Sequence, residues 1–375
     1  MISYGRQSIS EEDIKSVVKV LSGDYLTQGP LVTLFENKVS EYVCAKYAVA
    51  VNSATSALHL ACLALNIRES DIVWTSSISF VASANCARYC GATVDFIDVD
   101  ANTGNLSLEN LKGKLDQAKK SNSLPKAIVV VHMAGNPLDM MSLYRLSEQY
   151  QFKIIEDASH ALGSKYHDGK KIGCMEYSDF TVFSFHPVKM ITTAEGGMVI
   201  CKNKKDEEKV RELSSHGIIK KTNKDPWYYE QIDLGYNYRL SDLHAALGIS
   251  QMDRLDNFVE ARRNIANIYS ESIDAKDIKL IEYNEYGECC HHLYQILSTN
   301  QIGLYNQLKS SGYNCQVHYI PIPSQPYYQY LGQNMNSYPE SQYFYNHVLS
   351  IPIYPDLGRN HVDKIIGILN DESGR

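Results

Sequence analysis

Between about residues 31 and 250, short apolar runs of four or five residues alternate with longer segments of helical periodicity. The short runs are rich in β-branched and aromatic residues, which favour strands. We predict strands at Tyr47–Val51, Ile72–Thr75, Val94–Ile97, Ala127–Val131, Lys153–Glu156, Phe180–Ser184 and Met198–Cys201. Helices are predicted between them at Thr55–Leu65, Phe80–Cys90, Leu106–Ala118 and Asp139–Tyr150. This alternation predicts an α/β fold, with a mostly parallel sheet and helices on both of its faces.

The helix predicted at Thr55–Leu65 is apolar on nearly every face, so we expect it to be deeply buried. Ligands of open, mostly parallel sheets bind at the carboxyl ends of the strands. The residues that directly follow the predicted strands are therefore the first candidates for a functional site.

The segments that flank the alternating region follow a different pattern. Residues 1–30 form a predicted arm, with a helix that begins near Ser10, an N-cap residue followed by acids, and ends around Gly23. Beyond residue 250 the predicted elements are a long helix at Leu255–Tyr269, a strand at Leu293–Leu297, a helix at Ile302–Ser311 and a short closing helix to Leu369. We therefore predict two domains, an arm with a large domain at 1–250 and a smaller C-terminal α+β domain at 251–375.

Composition narrows the class of protein. The chain has 375 residues, 44% of them hydrophobic and 21% charged, as in an ordinary globular protein. Its formal net charge of −7 argues against nucleic acid as a partner. The polar opening segment and the lack of long apolar runs predict neither a secretory signal nor a membrane span. The nine cysteines lack the spacing of a metal site, so we expect reduced thiols, no metal and a cytoplasmic location.

Polar residues follow three of the predicted strands. The run Asn52–Ser56 follows the first strand and opens the buried helix, where backbone N–H groups favour an anion such as phosphate. A simple N-cap by Ser53 or Thr55 is the alternative. Asp157 follows the fifth strand, and a buried carboxylate there needs a partner. That partner is either a protonated ring nitrogen or the N-terminus of a helix.

The third strand end leads into the turn that carries Lys189. Pro187 prevents the strand from continuing, and Lys189 lies among apolar and hydroxyl residues. Such a lysine is a candidate Schiff-base amine, because desolvation lowers the pKa of the amine and frees its nucleophilic form. The alternative is an ordinary surface lysine in a hairpin. Ser184, at the end of the strand, is either a second phosphate ligand or a turn former.

An anion site, an acid and a lysine on one sheet edge are the three parts that pyridoxal phosphate requires. They would supply the phosphate anchor, the partner of the pyridine nitrogen and the amine for covalent attachment. Phe80, at the head of a predicted helix, either covers a flat ring or packs in the core. The sequence therefore predicts a pyridoxal-phosphate enzyme.

Six motifs resemble those of the DegT/DnrJ/EryC1/StrS sugar aminotransferases, and the match extends over essentially the whole chain. They are LTQG at 26–29, NSATSA at 52–57, EDASHALG at 156–163, FSFHPVK at 183–189, TTAEGG at 192–197 and GYNYRL at 235–240. The resemblance implies a fold-type I pyridoxal-phosphate transferase with a seven-stranded sheet. Residues 1–250 would then bind pyridoxal 5′-phosphate.

The resemblance also implies a role for each matching residue of the cofactor site. Lys189 would be the catalytic residue and the point of covalent attachment, and Asp157 would pair with the pyridine nitrogen. His160 would lie near the 3′-oxygen of the ring, where much of the family has glutamine. Phe80 would stack on the ring. The phosphate would be held by Ala54, Thr55 and Ser184, and by Asn237 of the neighbouring subunit in a homodimer with shared sites.

Within the family, the segments 4–8, 53–55 and 184–197 most resemble the C4 aminotransferases of pseudaminic acid biosynthesis. The implied substrates are a UDP-linked 4-keto-6-deoxy-N-acetylhexosamine and L-glutamate. The implied sugar-nucleotide contacts are Tyr4, Asp24, Tyr25, Leu26, Thr27, Gln316, Val317, His318 and Tyr319, with Arg239 at the diphosphate. Three alternatives stay open: a C4 aminotransferase of bacillosamine or perosamine type, a sugar dehydratase, although relatives with that activity carry histidine in place of the lysine, and a non-catalytic regulatory protein.

Overall fold

The computed structural model describes residues 1–221 and 223–371, and a seven-stranded sheet forms its centre. The strands are β1 (Tyr47–Val51), β2 (Ile72–Ser76), β3 (Thr93–Ile97), β4 (Ala127–Val131), β5 (Lys153–Asp157), β7 (Phe180–Ser184) and β8 (Gly197–Cys201). Their spatial order is β1-β8-β7-β5-β4-β2-β3, and only β8 runs antiparallel to its neighbours. Each of the seven strands predicted between residues 31 and 250 lies in this sheet within one residue of its expected bounds. The predicted mostly parallel sheet is thus confirmed.

The other strands form small ladders outside the central sheet. A three-stranded antiparallel sheet contains β11 (Ile278–Leu280), β13 (Tyr294–Ser298) and β14 (Val348–Ile351). Two shorter ladders pair β6 (Lys165–Tyr166) with β12 (Gly287–Glu288), and β9 (Ile218–Lys220) with β10 (Tyr229–Gln231).

Helices cover both faces of the central sheet and build the flanking segments. In chain order they are α1 (Glu11–Leu21), α2 (Pro30–Tyr42), α3 (Ala54–Ala64), α4 (Ala82–Tyr89), α5 (Leu108–Lys120), α6 (Met140–Tyr150), α7 (Lys204–Ser214), α8 (Asp242–Met252), α9 (Leu255–Ser272), α10 (Gln301–Ser310), α11 (Pro326–Tyr330), α12 (Pro339–His347) and α13 (Arg359–Asn370). Short 3-10 turns lie at Met133–Gly135, Ile322–Ser324 and Met335–Ser337.

Strand β4 shows why the sheet needs cover on both sides. All five of its residues are buried, and successive side chains point to opposite faces. Ile128 and Val130 pack into the layer that contains α2, α5 and α6, whereas Ala127 and Val129 pack against α3, α4 and α7. As expected from its apolar surface, α3 is buried continuously, over residues 56–62.

A capping box fixes the start of the arm helix α1. The Ser10 hydroxyl accepts a hydrogen bond from the backbone N–H of Asp13, and the Asp13 carboxylate accepts one from the backbone N–H of Ser10. The same carboxylate accepts hydrogen bonds from Gln251 and Arg254, so the cap also attaches the arm to α8 and its C-terminal end. The helix predicted to begin near Ser10 is therefore confirmed.

The C-terminal part of the chain has a core of its own. Side chains from α9, α10 and α13 pack there against β13 and β14. However, α9 also places Leu255 and Phe258 in a core layer of the central sheet. The domain division at residue 250 stays a prediction, and residues 372–375 of the predicted second domain lie outside the described residues. Among the described residues, every helix is too short or too polar to cross a membrane.

We expect Gly197→Ala to destabilise the fold, because the first residue of β8 lies directly against the start of α3. A Cβ at position 197 would lie 2.5 Å from the Ser53 carbonyl carbon and 2.6 Å from the Ala54 nitrogen, and neither is a flexible side-chain atom. The expected loss is about 1–3 kcal/mol of unfolding free energy, measured by urea denaturation.

Gly113→Ala is the matched control. Gly113 lies on the exposed face of α5, with no atom within 4 Å of a built Cβ. This change should leave the unfolding free energy unchanged or raise it by up to about 1 kcal/mol, since alanine favours a helix over glycine. Equal stability of the Gly197→Ala protein and the unchanged chain would contradict the close approach as a constraint.

Candidate active site

A cavity of about 420 Å³ opens at the edge of the central sheet where the parallel strands have their carboxyl ends. The antiparallel strand β8 begins at the same edge, so the residues just before it also line the cavity. Ten of the residues predicted from the sequence lie in its wall: Tyr4, Ala54, Thr55, Phe80, Asp157, His160, Ser184, Lys189, His318 and Tyr319.

One side of the cavity is the N-terminus of α3. Ser53 is the N-cap, and its hydroxyl accepts a hydrogen bond from the backbone N–H of Ser56 at 3.1 Å. The backbone amides of Ala54 and Thr55, in the first turn, have no partner within the helix, and the helix dipole adds positive potential there. The N-cap and the anion site therefore do not exclude each other, because Ser53 caps the helix while the next two residues line the cavity.

Asp157 is the last residue of β5, and its buried carboxylate is held in one orientation. Its Oδ1 accepts hydrogen bonds from the backbone N–H and the hydroxyl of Ser159, at 3.2 and 2.6 Å. Its Oδ2 accepts one from the Ser83 hydroxyl at 2.6 Å, and that hydroxyl lies 2.7 Å from the hydroxyl of Ser79. These serine contacts fix the carboxylate in the wall of the cavity.

The preceding residue, Glu156, is fully buried on the opposite face of the strand. Four side chains donate hydrogen bonds to its carboxylate: His132, Tyr166, Ser178 and Thr181. The backbone N–H of Leu138 donates to His132 Nδ1 at 3.1 Å, so Nε2 carries the ring proton and donates to Glu156. Burial alone would raise the pKa of Glu156, but these hydrogen bonds hold the pKa below its usual value. The charged network anchors the end of β5 beneath Asp157.

Lys189 lies in the connection between β7 and β8. Its backbone N–H donates to the His186 carbonyl at 2.8 Å, which closes a turn, and the loop is held further by a hydrogen bond from the Phe185 N–H to the Gly196 carbonyl. Burial lowers the pKa of the Lys189 amine to about 8, although the nearby Asp157 acts in the opposite direction. The neutral amine therefore forms more readily than on a surface lysine.

The wall contributed by the C-terminal part of the chain and the arm is polar but neutral. The Tyr319 hydroxyl lies 3.0 Å from His160 Nε2, and the Ser350 hydroxyl lies 2.8 Å from His318 Nδ1. Burial, and then the charge of Lys189, lowers the pKa of His160 and brings that of His318 to about 3. Burial raises the pKa of the tyrosine hydroxyls at positions 4 and 319.

Phe80 is 56% exposed and lines the cavity, with its ring centre 6.1 Å from that of Tyr319. Phe80 was predicted either to pack in the core or to cover a flat ring. Its exposure rules out core packing, and the ring is available to a flat ligand. Its position follows from the short connection between β2 and α4, which brings Ser79 and Phe80 to the cavity.

Eight predicted residues lie outside the cavity wall formed by the described residues: Asp24, Tyr25, Leu26, Thr27, Asn237, Arg239, Gln316 and Val317. The loop with Leu26 instead docks on α8, where the Leu26 carbonyl accepts from the backbone N–H of Asp242. Asn237 is exposed, and Arg239 donates a hydrogen bond to the Ser215 hydroxyl at 3.1 Å. The roles of these eight residues stay predictions.

Several side chains of the site are not among the residues predicted from the sequence. Ser83 and Ser159 hold Asp157, and Ser79, His186 and Glu195 line the cavity. A serine two residues after a strand-end aspartate is typical of a local turn, so the contact of Ser159 with Asp157 could have been predicted from the sequence. Ser83 had none, because its contact spans 74 positions of the chain.

These residues fit pyridoxal phosphate. The open amides of α3 suit its phosphate, and the absence of a side chain at Gly197 leaves that helix end close to the sheet edge. The Asp157 carboxylate suits a protonated ring nitrogen, and the Lys189 amine suits covalent attachment.

Comparison with known proteins agrees with this geometry. A model of the DegT/DnrJ/EryC1/StrS aminotransferase family matches residues 7–370. The UDP-4-amino-4,6-dideoxy-N-acetyl-beta-L-altrosamine transaminase of Campylobacter jejuni is 41% identical over 363 residues, which is 95% of this chain and 93% of that protein.

Two solved structures are similar over nearly the full length. PseC of Helicobacter pylori, an aminotransferase involved in the biosynthesis of pseudoaminic acid, has a TM-score of 0.88 and 33% identity, with 98% of each chain covered. The putative sugar aminotransferase Spr1654 of Streptococcus pneumoniae, in its PMP form, has a TM-score of 0.91 and 27% identity, with 99% of this chain and 98% of that chain covered. The fold-type I architecture is thus confirmed, and the chain belongs to the DegT/DnrJ/EryC1/StrS aminotransferase family.

Proposed function

We propose that this protein is a pyridoxal-phosphate-dependent C4 aminotransferase of pseudaminic acid biosynthesis. It moves the amino group of L-glutamate to C4 of UDP-2-acetamido-2,6-dideoxy-β-L-arabino-hex-4-ulose. The product is UDP-4-amino-4,6-dideoxy-N-acetyl-β-L-altrosamine. The observation that carries the proposal is one cavity that joins the Lys189 amine, the Asp157 carboxylate and the N-terminus of α3. The name of the Campylobacter jejuni relative supports the choice of sugar.

Different residues of the cavity bind the phosphate, protonate the ring nitrogen and transfer the proton. The amides of Ala54 and Thr55 bind the phosphate, aided by the Ser184 hydroxyl, and Asp157 keeps a proton on the ring nitrogen. When bound, pyridoxal phosphate withdraws electrons from the carbon that loses its proton. Lys189 Nζ would take that proton from the α-carbon of glutamate as a general base and, as a general acid, deliver it to C4′ of the cofactor.

A lowered pKa suits Lys189 to both tasks. An amine with a pKa of about 8 is populated in its neutral and its protonated form near neutral pH. A general acid–base group is most effective when its pKa lies close to the working pH.

Sugar selection is assigned to the neutral wall of Tyr4, His318 and Tyr319, with Gln316 and Val317 at its border. Hydroxyl and imidazole groups can hydrogen-bond the sugar hydroxyls and the N-acetyl carbonyl. A sugar of the wrong stereochemistry would leave some of these buried groups unpaired. Such a loss rejects a substrate more strongly than an apolar pocket rejects an extra methylene.

A homodimer with shared sites accounts for the residues that lie outside the cavity of their own chain. The exposed Asn237 would reach the phosphate in the partner's cavity, and Arg239 would approach the diphosphate of the substrate. The loop Asp24–Thr27 would border the sugar nucleotide across the same interface. The exposed side chains Trp227, Tyr229 and Leu234, which precede Asn237 in the chain by 3 to 10 positions, supply apolar surface of the kind that a stable interface buries.

The proposed compartment is the cytoplasm. All nine cysteines are free, and six of them are buried. Free thiols in this number are typical of proteins that work in a reducing environment.

The pH dependence of covalent cofactor attachment tests the role of Lys189. The rate at which the cofactor-free protein forms a borohydride-reducible bond at saturating pyridoxal phosphate should rise with pH and reach half its maximum near pH 8. The reason is that only the neutral amine attacks, and its fraction increases through the pKa of Lys189. Peptide mapping after reduction should place the label on Lys189.

Asp157→Asn should move the half-maximum to lower pH, because the Asp157 charge raises the pKa of Lys189 and the amide does not. Asp363→Asn, at an exposed position of α13, is the control and should leave the midpoint unchanged. A label on another peptide, or a midpoint close to the ordinary lysine pKa of 10.5, would contradict the assignment.

The identity of the sugar is tested by supplying both UDP-4-keto epimers, L-arabino and D-xylo, with L-glutamate and identifying the product by NMR. We expect turnover of the L-arabino epimer and amination at C4. Turnover of only the D-xylo epimer would overturn the pseudaminic assignment and favour the bacillosamine type. Acceptance of only a dTDP- or GDP-linked ketosugar would overturn the choice of nucleotide, and no amino transfer to any ketosugar would favour a regulatory protein.

Asn237→Ala should weaken cofactor binding about 10-fold or more, since a hydrogen bond to a charged group contributes about 1.5–3 kcal/mol. Fluorescence titration measures the affinity, and light scattering measures the mass in solution. Asn110→Ala, at an exposed position on α5, is the control and should bind the cofactor as the unchanged chain does. A stable, active monomer would contradict the shared site.

A further inference from the structure

A buried histidine on α3 connects this helix to the segment 236–239, which carries Asn237. His59 lies five residues after Ala54, so it is about 7.5 Å further along the helix from the end that lines the cavity. Its ring is buried, and its Nδ1 lies 3.2 Å from the Tyr238 hydroxyl. Tyr238 directly follows Asn237 in the chain. This hydrogen bond therefore joins α3 to the neighbour of a residue that was predicted to bind phosphate.

Two tyrosine rings of the segment pack together against the His59 imidazole. The rings of Tyr236 and Tyr238 stack with their centres 4.9 Å apart and their planes 17° apart. The centre of the His59 ring lies 4.9 Å from that of Tyr236 and 6.0 Å from that of Tyr238. Residues two apart in an extended segment project from the same side, so Asn237, between them, projects from the other side. Asn237 is accordingly exposed.

The backbone of the segment is fixed between α7 and the start of α3. The backbone N–H groups of Tyr236 and Tyr238 donate to two carbonyls at the C-terminal end of α7, at 2.7 and 3.0 Å. The backbone N–H of Asn52, which directly precedes the N-cap of α3, donates to the Tyr238 carbonyl at 2.8 Å. These bonds set the path of the segment. The contacts with His59 hold the side from which the tyrosine rings project, and this leaves the opposite side to Asn237.

We propose that His59 is a positioning residue for the cofactor site of the partner subunit. It holds Tyr238, and thereby the direction of the Asn237 side chain, so that Asn237 reaches the phosphate in the partner's cavity. This inference rests on the proposed homodimer with shared sites. His59 belongs to the helix that lines the cavity of its own chain, but its effect falls on the other cavity.

Helix α3 then serves both cavities of the homodimer. Its first turn offers backbone amides to the phosphate in the cavity of its own chain. Its second turn carries His59, which orients the residue that the chain gives to its partner. The two contributions differ in which cavity they affect, and an experiment can separate them.

Heterodimers with a single attachment lysine distinguish the two cavities. Lys189→Ala in one subunit removes covalent attachment there, so a borohydride-reducible label on Lys189 reports only the other cavity. The concentration of pyridoxal phosphate that gives half of the maximal label measures the affinity of that cavity. Two affinity tags isolate each heterodimer, and the pair of a Lys189→Ala chain with an unchanged chain is the reference.

In the first heterodimer, His59→Leu and Lys189→Ala are on the same chain. The labelled cavity belongs to the unchanged chain but receives Asn237 from the altered one. We expect its affinity to fall about 3- to 10-fold, within the range of one neutral hydrogen bond. In the second heterodimer the two changes are on different chains, so the labelled cavity receives Asn237 from a chain with an intact His59. Its affinity should equal that of the reference.

Tyr238→Phe removes only the hydroxyl that contacts His59, and in place of His59→Leu it should give the same asymmetry. This milder change keeps the test valid if His59→Leu prevents folding. Loss of affinity in the second heterodimer, or equal loss in both, would show that His59 acts through α3 on its own cavity and would overturn the inference. Unchanged affinity in the first heterodimer would also overturn it.

Asn237→Ala in place of His59→Leu separates this inference from the shared site on which it rests. If Asn237→Ala lowers the affinity of the first heterodimer but His59→Leu and Tyr238→Phe do not, only the role of His59 fails. If Asn237→Ala leaves the affinity of the first heterodimer unchanged, the shared site fails, and the role of His59 fails with it.

Discussion

The site depends on two consecutive carboxylates at the end of β5 that point to opposite faces of the sheet. Successive strand residues alternate, so Glu156 enters the core while Asp157 faces the cavity. Four donors surround the Glu156 carboxylate, and a buried charge in such a network tolerates no displacement without leaving hydrogen bonds unmade. A shift of β5 by one residue would exchange the two acids, so the network that stabilises the core also fixes the register of the site.

A second constraint brings the lysine to the same edge. Strand β8 returns antiparallel beside β7, so the loop between them both leaves and re-enters the sheet at the carboxyl edge. The loop therefore has to cross the cavity, and Lys189 lies within it. Gly197 then lets β8 begin in contact with the backbone of Ser53 and Ala54. The Lys189 amine, the Asp157 carboxylate and the N-terminus of α3 are thus brought together by the order of the strands and by one close backbone approach. They are not held together by direct contacts with one another.

The elements that could be predicted are those whose signal lies in a few adjacent residues. The strands of the central sheet appear in the sequence as short apolar runs, and their bounds were predicted within one residue. The apolar pattern did not reveal α2, which has no side-chain cap, or α7, which is highly charged and has only two apolar residues, the buried Val210 and Leu213. In the site, Lys189, Asp157 and the start of α3 could be predicted because they lie at or shortly after the ends of predicted strands. Ser83 was not, because folding brings it to Asp157 from a distant part of the chain.

The distribution of charge in the cavity bears on where the rest of the substrate would bind. Within the described wall, the charged groups are concentrated at Lys189, Asp157 and Glu195, whereas the side formed by Tyr4, His318 and Tyr319 is neutral. A neutral wall suits a sugar ring, but it has no positively charged side chain to bind the two negative phosphates of a UDP group. Arginine is the side chain best suited to that task, because its planar group donates several hydrogen bonds in parallel. Arg239 lies outside the cavity of its own chain and is only half-buried, so in the proposed homodimer the diphosphate contact would come from the Arg239 of a second chain.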